Sequence, residues 1–387
     1  MTRKEALRLE YLDGLRAVAA LYVVLFHAGL GFLDPGRPLV GFARNLQRAL
    51  SFGHDAVAVF IVLSGYCLML PVARAEGQLV RGIGNYIARR AWRILPPYFA
   101  TVFGSLLLIT AIPVLETPTK TIWADTFPAF EFGPIASHLL LIHNLSPAWS
   151  NRINGPLWSV ATEWQIYFFF PFVLLPLWRR FGATVTVLSG FVLGGGFTFI
   201  APSAATSAAS WYLGLFALGM CAAGVDFSTR PAERWLRERV PWRWVNLGFL
   251  AAVACGTTLL IKHWFRFMPY SDALVGAATA SGLLYLSPHA LRHPSEKRHK
   301  PLALRVLSSG PLLLVGRFSY SLYLTHLPIV ALCYFALRPL ELSPNAEMLS
   351  LVLLSLPLSL LVAYAFFWVF ERRFVGAPPA FFRLRRS

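Results

Sequence analysis

An arginine and a histidine eleven residues apart interrupt the first apolar stretch of the chain, YLDGLRAVAALYVVLFHAGLG at 11–31. Ionisable side chains at membrane depth cost about 2.5–3.5 kcal/mol each on insertion scales, so they face a protein interior or a watery cavity. Eleven residues make about three helical turns, which sets Arg16 and His27 on nearly one face, about 16 Å apart along the axis. Asp13 lies one turn before Arg16. A histidine titrates near neutral pH and suits proton abstraction from an alcohol. Asp13, Arg16 and His27 thus form a candidate catalytic set on one helix, with a cation near one membrane surface and a base nearer the other. The bland alternative is a snorkelling arginine and a hydrogen-bonded interior histidine.

Three further constellations accompany it. Arg89, Arg90 and Arg93 cluster in NYIARRAWRILPPYFATV, just before Pro96-Pro97. Arg90 and Arg93 share a helix face, and the planar guanidinium fork suits phosphate, so these three are candidates for holding a polyanionic ligand; anchoring at the inner membrane surface is the competing role. Glu163, a further candidate catalytic residue, lies inside the aromatic span NGPLWSVATEWQIYFFFPFVLLPL, near Trp158 and Ser159, which are candidates for lining a substrate. A carboxylate there needs a partner, expected to be an arginine or histidine on another helix. Finally, GRFSYSLYLTHLPIV carries Tyr320, Tyr323 and His326 at successive i+3 positions, a polar track that either lines a substrate or bonds neighbouring helices.

The elements that must position these groups are membrane helices. Of 387 residues, 56% are hydrophobic and 14% charged, against about 25% charged in soluble domains. Ten spans are expected, near 12–31, 54–72, 94–113, 157–177, 183–201, 208–225, 244–262, 270–287, 311–335 and 349–370. The fold class expected is all-α: a polytopic membrane protein with about ten transmembrane helices. The net charge of +17 would suggest nucleic acid in a soluble chain, but the basic residues fall between the apolar spans. With the N-terminus in the cytoplasm, inner segments collect 25 Lys/Arg and outer ones 8, so both termini are expected to be cytoplasmic. The domain organisation expected is one transmembrane domain, 1–375, and a short basic tail, 376–387. No cleavable leader is expected, since the first span holds Asp13 and Arg16.

The longest outer segment, 114–156, is rich in proline and aromatics and includes Asp125, Glu131, His138 and His143. Loops of this length are commonly functional. Its apolar stretch SHLLLIHNL, 137–145, is too short to span and reads as re-entrant or interfacial. The four cysteines are far apart, with no C-x-x-C or Cys/His spacing, so neither a disulfide framework nor a metal site is expected. No Walker loop, G-x-S-x-G or H-E-x-x-H motif is present. No internal repeat is evident, which argues against many transporters.

In their order and spacing, YLDGLRAVAALYVVLFH, VFIVLSGYCL, ARRAWRILPPY, GPLWSVATEWQIYFFFP, GRFSYSLYLTHLP and the closing WVFERRF resemble acyltransferase family 3, over nearly the whole chain. These are integral-membrane acyltransferases that modify surface glycans such as lipopolysaccharide O-antigen. The resemblance implies transfer of an acyl group, usually acetyl from acetyl-CoA, to a hydroxyl of an extracytoplasmic carbohydrate or lipid-linked glycan. It implies a multi-pass protein of the cell inner membrane, with membrane lipid around it and no metal. It makes Arg16 and His27 the catalytic pair and gives Arg90 and Arg93 the donor's phosphates. No fused extracytoplasmic domain is expected, so any periplasmic acyl-handling partner would be separate. A glycan or anionic-solute transporter, or flippase, is the alternative from another class.

Overall fold

The computed structural model describes residues 9–34, 36–259, 268–292 and 300–376. Among the described residues every regular element is helical, as expected. Ten helices of 13 residues or more among the described residues carry the architecture: α1 Tyr11–Phe26, α2 Gly53–Arg74, α3 Gly82–Ala111, α4 Leu157–Phe169, α5 Leu175–Ile200, α6 Tyr212–Phe227, α7 Trp242–Leu259, α8 Met268–Arg292, α9 Ser319–Leu337 and α10 Pro344–Phe366.

Among the described residues six helical runs are long and apolar enough to cross a membrane: Tyr11–Gly31, Gly41–Arg74, Gly82–Ala111, Leu157–Ile200, Ser319–Leu340 and Pro344–Phe374. A seventh is added if α6 and the helix Pro231–Arg239, bent by 86°, count as one broken span. The chain is therefore a multi-pass membrane protein. The run Leu157–Ile200 has 44 residues, or about 66 Å of helix, twice the thickness of a hydrocarbon core. It breaks at Gly182, whose φ of 80° and ψ of −172° leave the helical region in a conformation open to glycine. α8 is diluted by alanine, serine and glycine, which lowers its hydropathy. Residues 260–262 of the expected span 244–262, and the expected basic tail beyond Gly376, lie outside the described residues.

α2 is the central helix. Ala58, Ile61, Val62, Leu63, Tyr66 and Met69 bury it on all sides, as a helix apolar all round should be. It packs closely along α6 because glycines face each other: a Cβ on Gly219 would sit 1.9 Å from the Val62 carbonyl oxygen, and one on Gly65 2.1 Å from that of Phe216. Small residues let helix backbones approach in this way where no hydrophobic force draws helices together. α1 lies against α2, α9 and the helix Gly310–Arg317, and α3 meets α9 and the end of α10. Outer faces expose Leu188, Val192, Phe199, Leu353 and Leu361, the surface a bilayer would cover.

Two helix ends near the charged groups loosen into π turns, His27–Gly31 after α1 and Phe367–Glu371 after α10. Such turns recur at functional positions. The segment between α3 and α4 is folded around Trp123, which is buried and donates from Nε1 to the Leu115 carbonyl at 2.8 Å. Its apolar stretch 137–145 is divided between the helix Phe132–Leu139 and the 3-10 turn His143–Leu145. The rings of His138 and His143 stack there, centroids 3.7 Å apart and 10° from parallel. Burial lowers His138 to about 4 and His143 well below the ordinary histidine range, the neighbouring His138 adding to the latter.

Candidate active site

Polar and charged residues of six helices converge on a cavity of about 540 Å³. α1 contributes Asp13 and Arg16, α2 Ser64 and Cys67, α3 Arg90 and Arg93, α4 Ser159, Glu163 and Tyr167, and α9 Tyr320 and Tyr323; Arg317 joins them from the helix before α9. Four arginines thus face two carboxylates across this cavity, which favours an anionic ligand.

Two of the four arginines are paired. Arg16 Nη1 lies 2.9 Å from Asp13 Oδ1, and its Nη2 donates to Cys67 Sγ at 3.0 Å. Arg93 Nη2 lies 2.7 Å from Oε1 of Glu371, which is fully buried. That contact is electrostatic rather than an aligned hydrogen bond, since Oε1 accepts none. Oε2 of Glu371 accepts from the Ser321 backbone N–H at 3.0 Å and from the Ser321 hydroxyl. Among the described residues, no ion pair joins Arg90 or Arg317, and Arg90 Nε and Arg93 Nη1 are buried without a hydrogen-bond partner. These donors point to a ligand rich in acceptors.

Glu163 departs from expectation. Its partner is not a cation on another helix but Tyr167 on its own, whose hydroxyl donates to Oε1 at 2.6 Å and lies 3.1 Å from Ser64 Oγ. The i,i+4 spacing brings the two together on one face. The hydroxyls of Ser159 and Tyr323 lie 2.6 Å apart, and Tyr320 donates to the Ile94 carbonyl at 3.1 Å.

His27 lies elsewhere, in a cavity of about 180 Å³ that it lines with His54, Asp125, Asn151 and Trp158. The two cavities occupy opposite ends of the α1–α2 pair and share the side chains of Val57 and Tyr323. The protonation of His27 can be read from its neighbours. His326 Nδ1 faces the carbonyls of Tyr323 and Leu322, at 2.8 and 3.2 Å, and carbonyls only accept, so Nδ1 carries the hydrogen. In neutral His326, Nε2 is then an acceptor, and it lies 3.0 Å from His27 Nδ1. His27 Nδ1 therefore donates, both to Nε2 of His326 and to the Val23 carbonyl at 3.0 Å. That leaves Nε2 of His27 with its lone pair free to take a proton.

Of the residues singled out in the sequence, Asp13, Arg16, Arg90, Arg93, Ser159, Glu163, Tyr320 and Tyr323 come together in the larger cavity, and His27 and Trp158 in the smaller. His326 is fully buried and lines neither; it stands behind His27. Arg89 is exposed and outside both. Tyr167, read from the sequence as a neighbour of Glu163, and Arg317, read as part of the polar track with Tyr320 and Tyr323, also line the larger cavity, whereas sequence reasoning passed over Ser64 and Cys67 as cavity groups, and over His54 and Asp272. The last two open their helices, where polar residues read as span boundaries. Among the described residues no group of three or more His, Cys, Asp or Glu could hold a metal.

A family model described as an acyltransferase domain matches residues 9–368. Peptidoglycan O-acetyltransferase OatA of Listeria monocytogenes is 23% identical over 347 residues, 83% of this chain and 49% of that protein. The Bacillus subtilis protein named "Putative peptidoglycan O-acetyltransferase YrhL" is 23% identical over 347 residues, covering 83% of this chain and 48% of its own length. The chain spans about half the length of these two relatives. No solved structure matches.

Proposed function

The chain belongs to this acyltransferase-domain family, and from that premise we propose that it moves an acyl group, acetyl in the first instance, from a coenzyme A thioester to a carbohydrate hydroxyl across the inner membrane. The observation that carries this reading is the pair of unlike cavities meeting at Val57 and Tyr323, one lined by arginines and the other by His27. The donor is a polyanion, suited to the cavity with Arg90, Arg93, Arg16 and Arg317. The acceptor enters the cavity of His27, whose Nε2 takes the hydroxyl proton as the oxygen attacks the thioester carbon. The carbon–sulfur bond breaks, and the thiolate leaves and receives that proton.

The proposed topology has ten crossings with both termini cytoplasmic, supported by the excess of 25 Lys/Arg over 8. It sets the arginine cavity toward the cytosol, where coenzyme A is found, and His27 toward the outer face. Peptidoglycan, the acceptor named for the Listeria relative, and O-antigen-type polysaccharides are the glycans to test first. A separate extracytoplasmic protein that hands the acyl group on is compatible with this arrangement.

The test is a purified preparation in nanodiscs given acetyl-CoA and glycan fragments. Free thiol should appear together with an acceptor heavier by one acetyl group, and neither should appear with His27→Ala. A protein that moves glycan while leaving acetyl-CoA intact would be a transporter, and this reading would fall.

A further inference from the structure

The smaller cavity holds a second histidine with a different kind of support. His54, at the start of α2, has its Nδ1 3.2 Å from Oδ1 of Asp272 on α8. Asp272 is fully buried, and its other oxygen accepts from Trp211 Nε1 at 2.8 Å. The His54 ring stacks on Trp158, centroids 5.5 Å apart and 13° from parallel, and the Tyr212 hydroxyl lies 3.2 and 3.4 Å from its two nitrogens. An ionised carboxylate inside a membrane protein needs a cation, and among the described residues His54 is the only one within ion-pair distance of Asp272. The pair is therefore best satisfied with His54 as imidazolium: Nδ1–H is held by Asp272, and the ring, which lines the cavity, keeps Nε2–H as a second donor 3.4 Å from the Tyr212 hydroxyl. His27 is backed by a neutral imidazole instead and keeps a lone pair. Two histidines in one cavity are thus given opposite characters, base and donor, by what stands behind each.

Resting on the acyl-transfer reading above, we propose that His54, held by Asp272, is a second catalytic histidine that donates a hydrogen bond to the acyl carbonyl oxygen as it becomes an oxyanion. The acceptor oxygen bonds to the acyl carbon, its proton passes to His27 Nε2, and the carbonyl π pair moves onto oxygen, where His54 holds it. Collapse restores the carbonyl, breaks the carbon–sulfur bond and delivers the electron pair to sulfur. The proton on His27 then neutralises the thiolate. The acyl carbon sits at the Val57–Tyr323 junction, where the two cavities meet.

The titratable groups around His54 are Asp272, Tyr212, Asp55 on its own helix, and His27 and Asp125 across the cavity. The experiment compares the full chain with His54→Gln and Asp272→Asn in nanodiscs, following thiol release from acetyl-CoA with a glycan acceptor from about pH 6 to about pH 10. His54→Gln should lower kcat about 10²–10³-fold, the range for loss of one oxyanion donor, with KM for acetyl-CoA within about threefold. Asp272→Asn removes the counter-charge, so the basic limb of the kcat profile should move toward lower pH by about one unit or more. A merely structural histidine would not move that limb. A kcat for His54→Gln within about threefold of wild type, a loss confined to KM, or an unmoved basic limb in Asp272→Asn overturns the proposal. If His54→Gln does not fold, the limb of Asp272→Asn decides. A wild type that releases no thiol at any pH overturns the acyl-transfer reading as well, whereas an active wild type with unaffected variants overturns this proposal alone.

Discussion

Replacing Arg93 with alanine should cost fold stability as well as donor binding, whereas replacing Arg90 should cost donor binding alone. Arg93 is 27% exposed, but its partner Glu371 is wholly buried. Removing one member of a buried ion pair costs about 3–5 kcal/mol, because the other is left as an uncompensated charge. Two hydrogen bonds from Ser321 remain on Glu371, and the opened side of Arg93 admits water, so the low end applies, about 3 kcal/mol. At roughly 2 °C per kcal/mol for a large domain, that is a fall of about 6 °C in the melting temperature. Arg90 has no ion pair among the described residues to strand, and its removal should leave the melting temperature within about 2 °C. Adding Glu371→Gln to Arg93→Ala removes the stranded charge and should recover more than half of the loss. The assay is thermal unfolding in one detergent, with calorimetric titration of coenzyme A on each variant. The reasoning is refuted if Arg93→Ala melts like Arg90→Ala, or if the double variant is less stable than the single. A double variant that is stable yet does not bind coenzyme A would separate the donor contact of Arg93 from its role in the fold.

Three other outcomes are expected. His326→Phe should lower kcat by about tenfold, the equivalent of one hydrogen bond, without changing KM for the donor, because Val23 still orients His27; steady-state kinetics checks it. The segment around His138 and His143 should open more readily in acid. Burial lowers both below their values in an opened segment, so the closed form binds fewer protons, and its stability falls as pH drops from about 6.5 to about 4. Hydrogen exchange over 132–145, corrected for intrinsic rate, should rise at pH 5 relative to pH 7.5, and equal protection would count against it. Gly219→Ala should destabilise the protein by about 1–3 kcal/mol, since its Cβ would overlap the Val62 carbonyl and part α2 from α6; an unchanged melting temperature would contradict that contact.

Much of the arginine cavity is legible in the amino-acid sequence, and the reason is energetic. Charges such as Arg16, Arg93 and Glu163 stand out in an apolar chain because their burial demands compensation. What compensates them is less legible. Glu163 calls for a cation on another helix and finds instead the phenol four residues on. Glu371 closes a helix nearly three hundred residues after Arg93, and no periodicity links two positions that meet only through tertiary packing. His54 and Asp272 are hidden by their place at the starts of helices, where hydropathy marks an end and says nothing of what faces it. Spans are blurred for a related reason: the run Leu157–Ile200 joins α4 to α5 and is broken only at Gly182, inside α5, a dihedral event rather than a compositional one.

The side chains common to both cavities also bear on insulation. A membrane protein with hollows entering from both ends of one helix pair stands a thin partition away from being a leak, and a cell cannot tolerate a passive path for protons or ions. Here the partition is Val57 and the phenol of Tyr323, the latter clipped to Ser159 and the Pro156 carbonyl. An apolar side chain and a ring with its hydroxyl already engaged offer little to a file of water. On the acyl-transfer reading proposed above, what must cross this gasket is a slim, uncharged acyl group and never an ion.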